Sequence, residues 1–283
     1  GYGLDIHQAF LSDILRQAEE SGILFNATEI RKKIDQSDSS FPKVDTQDYS
    51  DIELISGEEL VEKISETYDK NSIESTVVVT RSNKRANQFN QGIRNQILWR
   101  EEELATGDLL MVVKNNYFWS DDEEKMDFIA NGDIAEVVDI QERQELYGYR
   151  FADVTLRFID YNNLEIDTKI LLDTLESNSP SLTREQNKEL FFRIMEHYEE
   201  VKTKKQRYLK VRENPFFNAL QVKFAYAVTC HKAQGGQWKT VFLDHGYLNE
   251  EMIDKEFLRW LYTAFTRPTQ KLYLVNFYKA FLA

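Results

Sequence analysis

The sequence predicts an α/β fold in which a parallel sheet carries a small inserted β-barrel. The run TVVVT at residues 76–80 is continuously β-branched, which is typical of a strand covered on both faces of a parallel sheet. Residues 222–272 alternate strand, turn and helix patterns, which indicates a compact α/β unit. Residues 106–170 contain short segments separated by turn signals, and this spacing favours a small antiparallel barrel.

The N-terminal part is predicted to be helical and then irregular. Apolar side chains three and four residues apart predict helical segments over residues 11–34, with a break near Ser21 and Gly22. Residues 35–51 are rich in serine and aspartate and are predicted to form a loop. Residues 44–75 contain ten acidic and two basic side chains, so we expect a solvated surface of loop and helix there.

A helix is expected to follow the strand at residues 76–80. Ser82 suits the N-cap, and apolar residues then recur on one helical face at Ala86, Phe89, Ile93 and Ile97. Backbone N–H groups at a helix start attract phosphate, and Arg85 adds positive charge. We therefore interpret Thr80, Asn83 and Arg85 as candidate contacts to a nucleic-acid backbone. The alternative interpretation is a capped, solvated helix.

The predicted barrel begins with short strands over residues 106–117 and 130–138, which Gly-Asp and Asn-Gly turns punctuate. Residues 151–158 and 164–170 flank an Asn-Asn pair, which predicts a hairpin. A capping-box pattern at Thr183 then opens a helix. In the first of these segments, Asn115 and Asn116 suit either a tight turn or a contact to nucleic acid.

Two motifs near the C-terminus are the most specific signals. The first, VTCHKAQGGQW at residues 228–238, offers hydroxyl, imidazole, amide and backbone N–H groups around a glycine pair, which suits phosphate oxygens. The second, LYTAFTRPTQKL at residues 261–272, presents Arg267 at the end of a helix. A guanidinium in such a place can clamp a transferring phosphoryl group, because its planar fork holds two phosphate oxygens.

Together these motifs resemble motifs V and VI of superfamily 1 DNA helicases. Their sequences are closely similar to those of the RecD-like branch, which includes the alpha subunit of exonuclease V. The segment ILRQA at residues 14–18 resembles motif IV, and GDLLMVVKNNY with NGDIAEV resembles the SH3-like barrel of that branch. The resemblance implies a RecA-like second motor domain of the P-loop NTPase type over residues 1–104 and 222–283. It also implies an inserted SH3-like barrel with a helical extension over residues 105–221.

The resemblance also implies roles for individual residues. Arg16 and Arg267 are expected to reach the γ-phosphate of ATP across a domain cleft, although Arg16 also suits a surface ion pair with Glu19 or Glu20. Gln237 stands where family members commonly carry a glutamate that contacts the nucleotide sugar, so a weaker contact or an exposed turn is expected. Contacts to the backbone of single-stranded DNA are implied for Thr229, His231 and Gln234; His231 also suits a structural role.

The sequence lacks two features that a complete motor needs. It contains no G-x-x-x-x-G-K-[ST] loop, and no Asp-Glu pair ends a buried apolar strand. We therefore expect the C-terminal half of an ATP-dependent, 5′-to-3′ DNA helicase that is inactive alone. ATP and Mg²⁺ would be held by an N-terminal RecA-like domain of the same protein. The alternative is a stand-alone, catalytically silent nucleic-acid-binding or protein-interaction module derived from a helicase.

The formal net charge of −13 is weak evidence about a nucleic-acid partner, because the charge is unevenly distributed. Residues 80–100 contain five basic side chains and no acidic one, and residues 202–212 contain six basic side chains and no acidic one. These segments are compatible with a DNA groove that is positive only locally.

The remaining composition limits the class of protein. The single cysteine, Cys230, is predicted to pack and fits a reducing cytoplasm, and four dispersed histidines give no support to a metal site. No apolar run approaches the ~20 residues of a membrane span. Aromatic side chains that suit base stacking are Trp99, Trp119, Phe216 and Phe217, and we expect all but Trp119 to lie in the core.

Overall fold

Two sheets organise the chain in the computed structural model, which describes residues 21–38, 40–47, 49–120 and 126–283. The α-helices are Gly22–Asp35 (α1), Leu60–Lys70 (α2), Asn83–Gln96 (α3), Arg184–His197 (α4), Lys204–Arg212 (α5) and Lys255–Phe265 (α6). The strands are Ile52–Ile55 (β1), Thr76–Thr80 (β2), Leu109–Val112 (β3), Ile134–Leu146 (β4), Tyr149–Phe158 (β5), Leu164–Leu171 (β6), Leu220–Phe224 (β7), Ala227–Thr229 (β8), Trp238–Asp244 (β9) and Pro268–Val275 (β10).

The first sheet is parallel and has the strand order β1-β10-β9-β2-β8. The predicted central strand is confirmed, because all five residues of β2 are buried between β9 and β8. Strand β1 lies at the edge of this sheet and was not predicted, since it is four residues long and sits in the acidic stretch. A helix, α2, follows it as expected.

The second sheet is a closed barrel of strands β3 to β7. The predicted hairpin is confirmed, because β5 and β6 pair antiparallel around Asn162 and Asn163, which adopt left-handed φ values of 55° and 58°. The strand predicted over residues 130–138 ends too early, because β4 continues to Leu146. The chain then turns through Tyr147 and Gly148, both at positive φ, into β5. The second half of β4 was not predicted, because most of its residues are polar and exposed and so show no apolar alternation.

The apolar alternation at Val222, Phe224, Tyr226 and Val228 predicts a single strand, but the structure divides this run into two strands, so that prediction is wrong. Strand β7 pairs with β3 and β6 in the barrel, whereas β8 pairs with β2 in the parallel sheet. The chain changes sheets at Ala225 and Tyr226, both of which are buried. Apolar residues continue through this crossing because both sides of it are covered, so the pattern shows no break.

Both crossings between the sheets meet at one buried carboxylate. Asp108, at the entry to the barrel, accepts hydrogen bonds from Arg94 of α3 (3.0 and 3.1 Å), from Arg100 (3.0 Å) and from the Tyr226 hydroxyl (2.8 Å). Asn90 of α3 donates to the carbonyl oxygen of Ala227 and accepts from its N–H group, which holds the return crossing. The barrel is therefore tied to α3 at both ends of the insertion.

The helices α4 and α5 cover one side of the barrel. The predicted capping box is confirmed at Thr183 and Gln186. A separate apolar cluster lies beneath these two helices and includes Phe151, Leu190, Ile194 and Val211. None of the helices in the described residues is long and apolar enough to cross a membrane.

Candidate functional site

The loops that follow β2 and β8 leave the same end of the parallel sheet. These strands are parallel neighbours, and their register places Thr80 opposite Thr229. The N–H group of Cys230 donates to the carbonyl oxygen of Thr80 at 3.0 Å, which holds the two loops together. Because parallel strands place their carboxyl-terminal ends at one edge of a sheet, the sequence predicts that these two loops converge, and the register confirms it. Carboxyl-terminal strand ends of open α/β sheets are common ligand sites.

In the loop after β2, the structure only partly agrees with the predicted DNA contacts. The Thr80 side chain has no exposed surface, and its hydroxyl donates to the carbonyl oxygen of Ser82 at 3.1 Å. Thr80 is fully buried, main chain included, so the structure does not offer it for the predicted DNA contact. Ser82 caps α3 as predicted, because its hydroxyl accepts from the N–H group of Arg85, and Asn83 is half-exposed in the first turn.

Arg85 has a carboxylate partner that the sequence did not indicate. Its guanidinium donates to both oxygens of Asp244 at 2.8 and 3.1 Å and lies over the ring of Phe89. The hydrogen bond to Asp244 raises the pKa of Arg85, and Asp244 is almost fully buried at the end of β9. Removal of Arg85 would leave this carboxylate unpaired, so its substitution would disturb the fold as well as any DNA contact.

Main-chain hydrogen bonds and two glycines hold the turn over residues 229–237 in a compact conformation. The N–H groups of Lys232 and Ala233 both donate to the carbonyl oxygen of Thr229 at 2.9 Å. Gly235 has a φ of +92°, which favours glycine. A Cβ atom on Gly236 would lie 2.5 Å from the Trp238 ring, so this position also needs glycine. The 229–237 turn is thus a fixed unit and not a loose loop.

His231 and Gln234 are exposed on a ridge between two cavities. A cavity of about 600 Å³ separates the 229–237 turn from the barrel, where Asn131 and Gly132 line it. A second cavity of about 610 Å³ separates the same turn from α6. Both side chains line both cavities. An extended ligand that crosses this ridge would therefore meet imidazole and amide groups on the way.

The barrel contributes to this ridge through Asn115. The exposed Asn115 side chain accepts from the N–H group of Asn131 at 2.8 Å, and the Asn131 side chain accepts from the Lys232 ammonium at 2.5 Å. Lys232 also lies within 3.4 Å of the carbonyl oxygen of Val113, and burial lowers its pKa. Lys232 stands inside the first motif, but its residue type and position there predict no specific role.

Arg267 and Gln237 lie together at the opposite end of the sheet. Register places Pro268 opposite Trp238, at the amino-terminal ends of β10 and β9. The Arg267 guanidinium donates to the carbonyl oxygens of Thr263 at 2.9 Å and Gly236 at 3.0 Å. Gln237 is exposed next to this contact. The 229–237 turn therefore runs from one end of the sheet to the other and connects the two candidate regions.

The other sequence-based expectations have mixed outcomes. Arg16 lies outside the described residues. Cys230 is buried as predicted, and burial raises the pKa of its thiol to about 12. Trp99 was expected in the core but is 81% exposed, so this expectation is wrong. Trp119 is half-buried, and its indole N–H donates to the carbonyl oxygen of Asn218 at 2.8 Å. Within the described residues, no group of three or more acidic, histidine or cysteine side chains could hold a metal ion.

One part of this site is similar to a known protein family. Residues 224–275 match the model of the UvrD-like helicase C-terminal domain. The matched segment contains β8, the 229–237 turn, β9, α6, Arg267 and the whole of β10. This segment is therefore similar to the C-terminal domain of a superfamily 1 helicase. Comparison with curated protein sequences gave no match.

Solved structures of helicases resemble the chain more distantly. The Pif1 helicase from Bacteroides in complex with ADP-AlF3 and ssDNA is 14% identical, with a TM-score of 0.46, over 96% of this chain and 53% of that one. The Pif1 helicase from Candida albicans is 14% identical, with a TM-score of 0.36, over 92% of this chain and 54% of that one. The chain spans about half the length of these helicases. Similarity at this level transfers no residue roles.

Proposed function

We propose that this chain is the C-terminal motor half of an ATP-dependent DNA helicase of superfamily 1, with the RecD-like arrangement of a RecA-like sheet and an SH3-like barrel. One observation carries the proposal. Within the segment that matches a helicase family model, Arg267 and Gln237 stand at one end of the sheet, and the exposed His231 and Gln234 lie towards the other. A motor that couples ATP to DNA needs two such regions joined by a rigid element.

The end of the sheet that carries Arg267 is the proposed ATP side. An N-terminal RecA-like domain would hold ATP and Mg²⁺, and Arg267, together with Arg16, would stabilise charge on the transferring phosphoryl group. The carbonyl oxygens that Arg267 contacts are neutral acceptors, and an arginine binds phosphate more strongly than a neutral oxygen. The guanidinium is buried at the amino-terminal end of the sheet, where these bonds fix its position. Gln237 would donate or accept a hydrogen bond at the nucleotide sugar.

The opposite end is the proposed DNA side. Asn83, Thr229, His231 and Gln234 would contact the backbone of single-stranded DNA, with Arg85 as a charged neighbour and Asn115 on the barrel. Because hydrogen bonds hold the 229–237 turn as one unit, closure at the ATP end would move the DNA contacts with it. Repeated closure would step the strand through the site, in the 5′-to-3′ direction that the RecD-like branch implies.

The test is a substitution in the protein that joins this chain to its ATP-holding half. We expect Arg267→Ala to lower DNA-stimulated ATP turnover by about a thousandfold, because an arginine that acts in trans on phosphoryl transfer contributes at least that much. Turnover is measured by phosphate release with saturating single-stranded DNA. DNA binding without nucleotide should change little.

Arg184→Ala is the matched control, since Arg184 is exposed at the start of α4, on the side of the barrel. Its turnover should stay close to that of the parent protein. An Arg267→Ala protein that keeps most of its turnover would remove Arg267 from the mechanism. The same measurement on the parent protein distinguishes a motor from a catalytically silent module, which would show no DNA-stimulated turnover.

A further inference from the structure

We propose that the basic helix α5, on the outside of the barrel, binds the phosphate backbone of the DNA strand beyond the 229–237 turn. This inference rests on the proposed function and adds a second contact surface to it. The surface, called here the α5 surface, consists of residues 202–212.

The α5 surface is the most concentrated positive charge on an acidic chain. Six of its eleven residues are lysine or arginine and none is acidic, whereas the whole chain has a net charge of −13. None of the salt bridges found in the described residues involves these six side chains, although most arginines elsewhere are paired with carboxylates. Uncompensated charge of this kind attracts a polyanion from solution.

The helix presents this charge outwards because a single apolar residue anchors it. Val211 is buried in the cluster beneath α4, while Lys205, Leu209 and Arg212 are exposed at positions that share one helical face. Arg207 donates to the carbonyl oxygens of Val201 and Glu199, which ties the start of the helix to the preceding turn. The charges therefore stand on a fixed scaffold.

Hydrogen bonds connect the α5 surface to the proposed DNA ridge. The Asn218 side chain donates to the carbonyl oxygen of Arg212 at 2.7 Å, and the carbonyl oxygen of Asn218 accepts from Asn116 at 2.7 Å. Asn116 follows Asn115, which is joined through Asn131 to Lys232. The end of α5 is thus continuous with the ridge through one loop of the barrel. Under the proposal, a strand that leaves the ridge would pass over this loop towards α5.

Aromatic rings lie along this path as well. Tyr117 is 71% exposed and stacks on Phe128, with ring centroids 4.9 Å apart. Arg212 lies over the Tyr208 ring at 5.0 Å on the helix itself. Aromatic rings interleaved with basic side chains are the usual features of surfaces that bind single strands without sequence preference. An acidic protein could also bind the positive charge of the α5 surface. Its binding would not require a connection between α5 and the ridge, so we favour DNA as the ligand.

The experiment measures binding of labelled oligothymidylate to the 283-residue chain by fluorescence anisotropy at several salt concentrations. A short oligonucleotide of about 6 nucleotides covers the ridge alone, and a long one of about 20 nucleotides also reaches α5. We expect Lys205→Gln with Arg212→Gln to make the slope of log affinity against log salt shallower by about 1.4 for the long oligonucleotide. This value is two contacts at about 0.7 each, and the short oligonucleotide should be unaffected.

Lys32→Gln with Lys70→Gln is the matched control, because it changes the net charge equally at exposed sites on α1 and α2. Gln234→Ala should weaken both oligonucleotides. If only Gln234→Ala has an effect, α5 does not bind DNA and the proposed function stands. If the parent chain binds neither oligonucleotide, the proposed DNA side fails and this inference fails with it. Lys204→Gln with Lys210→Gln repeats the test if the first pair lowers the melting temperature.

Discussion

His245 is a titratable side chain that the proposed site does not use. It follows Asp244 at the end of β9 and is 2% exposed, with the rings of Phe277, Tyr278 and Phe281 at centroid distances of 4.6, 5.0 and 5.6 Å. Among the described residues, no hydrogen bond of normal geometry reaches either ring nitrogen. Burial lowers the pKa of His245 below 6.5, since a charged imidazole is poorly solvated among aromatic rings.

This environment predicts that the chain loses stability in mild acid. The unfolded histidine takes up a proton near pH 6.5 and the folded one only at lower pH, so the free energy of unfolding falls as the pH drops below about 6.5. Urea unfolding at about pH 7.5 and pH 5.5 measures this difference. His245→Phe should reduce it, whereas His197→Gln, at an exposed position, should not. An equal pH dependence in the parent and His245→Phe proteins would contradict the prediction.

At the level of elements, the connection between the sheets depends on α3. This helix supplies Arg94 and Asn90 to the two crossings, and burial raises the pKa of the Tyr226 phenol, which therefore stays protonated and donates to Asp108. The barrel is held to the sheet by this network as well as by its apolar contacts. The α5 surface and the ridge keep a constant relation only while the network is intact.

Asp108→Asn is expected to lower the free energy of unfolding by about 3–5 kcal/mol, because it leaves the buried guanidinium of Arg94 without its charge partner. Urea unfolding at neutral pH gives the value. As a control, Glu29→Gln removes an exposed pair with Lys32 and should cost less than about 1 kcal/mol. A change of similar size in both variants would show that Asp108 is not the point that holds the crossings.

At the level of the whole molecule, the two ends of the parallel sheet carry different chemistry. One end holds the buried Arg267 beside the exposed Gln237, and the other end holds the ridge of His231 and Gln234. The 229–237 turn is the shortest covalent path between them. Under the proposed function, this arrangement would place the nucleotide and the DNA strand on separate surfaces of one sheet.

The chain by itself is expected to bind ATP only weakly. The sequence contains no phosphate-binding loop of the G-x-x-x-x-G-K-[ST] type, so Arg267 meets no preorganised nucleotide. Isothermal titration calorimetry on the 283-residue chain with MgATP measures the affinity, and the same titration on a protein extended by the ATP-holding half is the control. A micromolar dissociation constant for the chain alone would contradict this expectation.

Local sequence patterns predict the individual elements of this chain well. The buried strand β2, the Ser82 cap and the capping box at Thr183 were predicted correctly, because each depends on neighbours within a few residues. The convergence of the loops after β2 and β8 was also predicted, since parallel strands place their carboxyl-terminal ends together. Strand β1 was missed because an edge strand needs little apolar surface.

By itself, the sequence determined the fold class, the two motifs and the residue types that suit phosphate, because these depend on composition and short spacing. Only the tertiary structure decided which of those residues are accessible. It buries the Thr80 side chain, pairs Arg85 with Asp244 across 159 positions and separates β7 from β8. Burial and pairing of this kind depend on contacts between residues that are distant in sequence. The spacing of residues along the chain does not show which of them will be in contact.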